Sequence, residues 1–273
     1  MDILDTIIAN KRKETAFRKE AVSLNVLLAS ATAQFERPVC SMRKAIEESS
    51  TGIIAEFKRK SPSKGWLYPD AKVEDIVPSY ELAGAAACSV LTDEIFFGGS
   101  LQDIRRAREL VHLPLLCKDF IVDEYQIYEA RAAGADAILL IASVLSPDEC
   151  LQFARKAHEL NMDVLLEIHR EEELNRLNLY IDMLGVNNRN LGTFDTSVQN
   201  SFQLLERMKN EIGKSANTPL PISESGLSDI NTIRELRNAG FRGFLIGEMF
   251  MKTSNPGNTL KDLIYRLNDE NDG

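Results

Sequence analysis

Residues 113–141 read LPLLCKDFIVDEYQIYEARAAGADAILLI, and this one line holds a complete structural unit. LPLLCK (113–118) is an apolar run too short for a buried helix. Asp123, with Gln126 three positions on, starts a helix in the manner of a capping box, the first side chain accepting a backbone N–H and the second reaching back. YQIYEARAAG follows and stops at Gly134, the residue type best able to turn left-handed at a helix C-terminus. DAILLI (136–141) is then a second short apolar run. The unit is strand, helix, strand.

The same unit recurs on either side. GIIAEFK (52–58) and AACSVLT (86–92) come before it, and DVLLEI (163–168), DMLGVN (182–187), LPISES (220–225) and GFLIG (243–247) come after, giving eight runs in all. They are apolar on both faces, as parallel strands covered by helices are. The stretches between them have helical signals. Ser146-Pro147-Asp148-Glu149 is a capping box with proline at the first helical position, and Gly84 and Gly240 close helices as Gly134 does. A doubly wound sheet also alternates strands and helices, but no G-x-G-x-x-G follows the first run. An eightfold repeat closing on itself, a (β/α)8 TIM barrel, accounts for the count more economically.

The first 47 residues contain no glycine and read as helices: 4–21, Asn25 to Ala33, and Met42 to Glu48, with Pro38 as the interruption. The charged run from Lys11 to Glu20 is expected to be a solvated helix face. The expected organisation is an N-terminal helical extension over 1–47, packed on a barrel over 48–273, the whole forming one domain. SANTPLP (215–221) reads as a single loop, and nothing resembles a domain linker.

Composition narrows the function. The 273 residues are 44% hydrophobic and 27% charged, as in a soluble globular protein. A net charge of -9 argues against a nucleic-acid partner, while leaving room for local basic clusters such as Lys58-Arg59-Lys60. Cys40, Cys88, Cys117 and Cys150 form no C-x-x-C pair and no metal-ligand spacing with histidine, so free thiols in a reducing, cytoplasmic setting are expected and no metal. The opening MDILDTIIANKRKE lacks a signal-peptide core, and no apolar stretch approaches the ~20 residues that span a bilayer.

Barrel chemistry sits at the C-terminal ends of the strands. The runs end in Glu56 and Lys58, Lys118, Glu167, Asn187 and Arg189, Glu224 and Ser225, and Gly247. Taken singly, each charge is an ordinary loop entrance. A barrel gathers them around one opening. Side chains two apart on a strand share a face, so Glu56 points with Lys58 and Asn187 with Arg189. Cys117, next to Lys118, should point the other way, toward the helices, as a small buried hydrophobe. His112 and His158 read as surface residues, and His169 borders the mouth without a catalytic role. Trp66, Phe96 and Phe97 lie in loops, where aromatics stack on a ligand or pack the rim. SESG (223–226) and LIGE (245–248) follow the seventh and eighth runs, where this architecture binds phosphate through backbone N–H groups. Gly226 and Gly247 allow close approach because they have no Cβ.

AEFKRKSPSKG (55–65), LCKDFIVDEYQIYEARAAGADAILLI (116–141), LLEIH (165–169), GVNNRNL (185–191), SESG and LIGE together resemble the successive motifs of the indole-3-glycerol-phosphate synthase family, in order and spacing, from about residue 42 to 252. The N-terminal helices are similar to that family's extension over the barrel mouth. The resemblance implies a carboxy-lyase of tryptophan biosynthesis acting on 1-(2-carboxyphenylamino)-1-deoxyribulose 5-phosphate. The pyrrole ring closes, carbon dioxide and water are lost, and no metal or organic cofactor is needed. It implies Glu56, Lys58, Lys118, Glu167, Asn187 and Glu224 as the catalytic set. Ser61, Ser225, Gly226, Gly247 and Glu248 would bind phosphate, Glu248 through its backbone N–H, with Lys60 adding charge. Phe97, Phe120 and Leu139 would pack on the anthranilate ring, and Arg189 would organise the mouth. Lys118 would serve as the acid, its pKa drawn toward neutrality by burial or by Lys58. Asn190, where the family commonly has Asp, and Met249-Phe250-Met251 depart from the usual pattern. A small-molecule substrate and a monomer or weak homo-oligomer are expected. The alternatives are a Schiff-base aldolase, a sugar-phosphate isomerase, or a non-catalytic phosphosugar-binding module.

Overall fold

In the computed structural model the described residues are 3–189, 195–212 and 218–269, the side chains of 211 and 212 excepted. Asn190 and residues 215–217 of the expected 215–221 loop lie outside them. Each apolar run becomes a strand: β1 Ile53–Phe57, β2 Ala87–Leu91, β3 Leu115–Lys118, β4 Ala137–Ile141, β5 Asp163–Ile168, β6 Met183–Asn187, β7 Leu220–Glu224 and β8 Gly243–Ile246. They pair in parallel, each with its sequence neighbours, and β8 pairs with β1 to close the barrel. A two-stranded hairpin, Lys60–Ser61 with Gly65–Trp66, stands on the loop after β1.

Strand parity divides the core in two. Ile53, Ala55 and Phe57 of β1 point outward and pack with Val90, Cys117, Leu140 and Val186 under the helices. Ile54 points inward and packs with Leu116, Leu139, Leu165, Ile222 and Leu245 in the barrel interior. Cys117 is on the outer face as its parity requires, and burial pushes its thiol up to about 12. Each fully buried aliphatic side chain contributes about 1.5–3 kcal/mol.

The covering helices are α5 Val73–Ala83, α6 Glu94–Phe97, α7 Leu101–Leu110, α8 Glu124–Ala133, α9 Pro147–Glu159, α10 Gln199–Ile212, α11 Ile230–Ala239, α12 Glu248–Met251 and α13 Pro256–Asn268. The predicted capping boxes at Asp123/Gln126 and Ser146/Glu149 are both formed. A short 3-10 turn, Glu171–Arg176, replaces a full helix after β5.

Four helices precede the barrel: α1 Ile3–Ala21, α2 Leu24–Ser30, α3 Thr32–Glu36 and α4 Met42–Glu48. The expected helix from Asn25 to Ala33 is two helices, broken at Ala31. The extension reaches both ends of the barrel. Ile7 of α1 packs beside Phe97 and Phe120 at the mouth, whereas Met42 and Ile46 of α4 plug the opposite end beneath Met183 and Gly243. Between them α2 and α3 run along α8, with Leu27 packed on Tyr125 and Ala132.

The Lys11–Glu20 run is not a uniformly solvated face. Lys11 is 0% exposed and Thr15 is also buried. The Lys11 ammonium lies 2.9 Å from Asp93, 2.9 Å from Asp119 and 3.1 Å from Glu14. Burial works against its charge, but the Asp119 and Asp93 carboxylates outweigh that and raise its pKa. The run is amphipathic in charge: one face meets acidic loop residues, the other meets water. Among the described residues, no helix is long and apolar enough to cross a membrane.

Candidate active site

One cavity of about 640 Å³ opens at the C-terminal ends of the strands, within the size range of small-molecule sites. Its floor is built from inward-facing strand ends. Glu56 and Lys58, two apart on and just beyond β1, meet at 2.5 Å, as their shared face requires. Lys118 at the end of β3 lies 3.4 Å from Glu56 and donates to Glu224 at 3.0 Å. Glu167 and Asn187 complete the ring from β5 and β6. Glu224 is fully buried and sits below the cavity surface, touching it through Lys118.

Two glycines make room for these carboxylates. A Cβ on Gly185 would lie 2.1 Å from Glu224 Oε1, and one on Gly247 would lie 2.3 Å from Glu56 Oε1. Gly247, expected only as a phosphate contact, is therefore also needed by the carboxylate behind it.

The charges are strongly coupled. Burial would raise the Glu56 carboxyl, but Lys58 and Lys118 hold it down to about 2. Burial would likewise discharge Lys118, yet Glu224, Glu56 and Glu167 raise its pKa instead. The expectation that Lys118 is drawn toward neutrality is reversed: three carboxylates outweigh the lost water. Glu224 is pushed up, chiefly by burial and then by the neighbouring Glu167 charge, against the pull of Lys118.

The far wall is made by the loops after β7 and β8. Ser225, Gly226, Gly247 and Glu248 line it, with Ser61 facing from the loop after β1. Ser225 and Gly226 both have positive φ, 68° and 71°, so the turn presents backbone rather than side chain. Asn188, one residue past Asn187 and so on the opposite face, holds this turn by donating to the Ser223 hydroxyl and the Ser225 carbonyl, each at 3.1 Å. The Glu248 carboxylate accepts from Arg189 at 3.0 Å and Lys252 at 2.5 Å. Burial opposes its charge, but those two cations hold it down to about 2. Its side chain is thereby neutralised and turned to the two bases. Arg189 also donates to Ser63 at 3.2 Å, linking the loop after β1 to the far wall.

The apolar side is formed by Phe97, Phe120 and Leu139, with the first two rings 6.1 Å apart. Ile3, Leu4 and Ile7 of α1 close over them. None of these three was expected at the site; their spacing on one helix face was the available signal. It also missed Lys64 and Lys252, which line the cavity. Lys60 does not: its ammonium donates to the Ile95 carbonyl at 2.8 Å and sits over Trp66, which is itself largely exposed. His158 is not a free surface group, since it pairs with Asp182 at 2.9 Å on the opposite end of the barrel. Among the described residues, no group of three or more His, Cys, Asp or Glu is arranged to hold a metal ion.

Comparison with known proteins bears on this pocket. A family described as Indole-3-glycerol phosphate synthase matches residues 4–263. A protein of that name from Bacteroides thetaiotaomicron is 54% identical over 267 residues, covering 97% of this chain and 99% of the relative. One from Neisseria meningitidis serogroup C is 44% identical over 257 residues, covering 93% and 96%. Among solved structures, a mutant tryptophan synthase alpha-subunit from Pyrococcus furiosus superposes with a TM-score of 0.58 at 15% identity, covering 80% of this chain and 98% of that one, a likeness of fold alone.

Proposed function

The chain belongs to the indole-3-glycerol phosphate synthase family and is a carboxy-lyase of tryptophan biosynthesis; from that premise we propose how its pocket performs the reaction. The substrate is 1-(2-carboxyphenylamino)-1-deoxyribulose 5-phosphate, and the product indole-3-glycerol phosphate. Ring closure needs an electrophilic ketone, an exit for carbon dioxide and the removal of one water.

The phosphate rests on the Ser225-Gly226 and Gly247-Glu248 turns, with Ser61 opposite and the Glu248 backbone N–H rather than its carboxylate facing it. Lys252 supplies the positive charge there that was first assigned to Lys60. The anthranilate ring lies on Phe97, Phe120 and Leu139 beneath α1. Its carboxylate pairs with Lys58, which sets the ring carbon against the ketone. Arg189 organises the mouth by tying three of its loops together.

Lys118 acts on the ketone oxygen. An ammonium held charged by three carboxylates releases its proton reluctantly, so its first contribution is electrostatic: it stabilises the alkoxide as negative charge develops. The proton transfers once that oxygen is basic. Carbon dioxide then leaves the ring carbon, restoring aromaticity. The new hydroxyl departs as water, protonated by an ammonium of the mouth, while Glu167 takes the ring proton whose loss forms the double bond. Glu56 and Glu224 hold the lysines in place, and Asn187 bonds the sugar hydroxyls. A Schiff-base aldolase needs a neutral lysine, and the carboxylates around Lys118 oppose that.

The observation that carries this reading is the convergence of Lys58, Lys118 and Glu167 with the two backbone turns in one cavity. The purified protein, incubated with the carboxyphenylamino-ribulose phosphate, should generate indole fluorescence. A folded preparation that leaves the substrate unchanged would end it. We read residues 1–47 as an extension packed on the barrel of 48–273, the whole as one domain. We also read the enzyme as cytoplasmic, a monomer or weak homo-oligomer without a nucleic-acid partner, from its charge of -9 and its free cysteines.

A further inference from the structure

His169 follows Glu167 by two residues and so shares its face of the chain. Its side chain is 12% exposed, and its Nε2 lies 3.4 Å from Glu167 Oε1. On the other side, Nδ1 lies 3.8 Å from Glu173 Oε2. Glu173 is itself fixed: it accepts from the His169 backbone N–H at 2.6 Å and from the Arg170 side chain at 3.4 Å. Asn200 of α10 donates to the His169 carbonyl at 3.3 Å, which anchors the main chain beneath the ring. The imidazole therefore stands between two buried carboxylates, one of which lines the cavity.

We propose that His169 is a positioning residue for the loss of water: as an imidazolium between Glu167 and Glu173, it orients the Glu167 carboxylate toward the substrate proton that it takes. The inference rests on Glu167 being the base.

Charge balance favours it. The floor holds three carboxylates, Glu56, Glu167 and Glu224, against the two ammonium groups of Lys58 and Lys118. Those ammonium groups sit on Glu56 and Glu224, which leaves Glu167 to be served from behind by His169. The groups facing His169 are Glu167 on β5, Glu173 and Arg170 on the 3-10 turn, and Glu224 on β7. Burial disfavours the charged ring, but these carboxylates outweigh it and raise its pKa. Glu173 is lowered in turn, burial being overcome by His169. His169 takes no net proton in the reaction: Glu167 receives it and returns it to solvent with the product.

The test is kcat and KM across pH for His169→Leu, His169→Asn and Glu173→Gln beside the parent enzyme. His169→Leu should lower kcat about 10-fold, less than the roughly 100-fold or more expected for loss of the base itself, with KM little changed. Without a ring to lose its proton, the alkaline fall in activity that His169 sets in the parent should be absent from the His169→Leu profile. His169→Asn keeps a donor and should recover part of the rate without restoring the alkaline fall. Glu173→Gln, which leaves His169 in place, should bring the alkaline fall in activity to lower pH, because the imidazolium loses one carboxylate. Profiles that superimpose on the parent, or a loss confined to KM, overturn the inference. Glu167→Gln separates the two readings. If it is inactive while the His169 profiles match the parent, this inference alone fails. If it turns over normally, the base assignment fails with it.

Discussion

Two buried charge clusters lie at opposite ends of the barrel, and they differ in what their polar groups face. At the closed end Asp136, fully buried just before β4, accepts from Arg37 at 2.8 Å, Arg108 at 2.7 Å and the backbone N–H groups of Cys40 and Leu115 at 3.0 Å each. Every one of these partners belongs to the fold, and together they join α3, α7 and β3. At the open end Lys118 and Lys58 are held by Glu56 and Glu224 on one side and line a cavity on the other. Both clusters pair buried carboxylates with cationic side chains. A cluster enclosed by its own donors stabilises the chain, whereas one that borders empty space has interactions in reserve for a ligand.

The largest effect that would break this contrast is at Lys118. Lys118→Ala should lower turnover by about 100- to 10,000-fold, as loss of a general acid does, while substrate binding stays measurable. Near-normal indole formation would show the open cluster to be structural like the other. Asp136→Ala should do the reverse. It strands Arg37 and Arg108 and should cost about 3–5 kcal/mol in urea unfolding, as removing one partner of a buried ion pair does. The folded fraction should keep the parent KM and kcat. A loss of turnover per folded molecule would mean that the two ends are not independent.

The strands were legible because each is a short apolar run buried on both faces, and parity then placed Glu56, Lys118 and Glu167 inside. Helix ends were legible where a side chain acts locally, as Asp123 and Ser146 do. Lys11 was not legible: within its own helix it is one charge among many, and what buries it are Asp93 and Asp119, which lie far along the chain. Lys252 was missed for a different reason: its partner Glu248, only four residues before it, was expected to contribute only its backbone. Gly185 could be read only after Glu224 was in place, since its requirement is the space that carboxylate occupies. The sign of the Lys118 shift depends on three carboxylates from three strands, and sequence supplies the list but not the distances.

A smaller effect sharpens the comparison at the seam between α1 and α8, where a carboxylate is neither enclosed nor open to the cavity. Glu129 of α8 is 7% exposed and lies 3.3 Å from Arg18 of α1. Burial pushes its carboxyl up to about 7, only partly opposed by Arg18, and Asp119 and Glu14 add to the rise. A carboxyl raised in the folded state favours folding in full below its ordinary value of 4.5, and that contribution is lost as pH rises through about 7. Unlike Asp136, Glu129 therefore weighs against the fold when ionised. The Arg18 charge does not reverse this, because the loss of water around the buried carboxylate outweighs it. Glu129→Gln should match the parent melting temperature near pH 5 and exceed it near pH 8, by about 2–4 °C for each kcal/mol removed. A difference between the two proteins that stays constant over that range would place Glu129 among the enclosed charges, its partners sufficient after all.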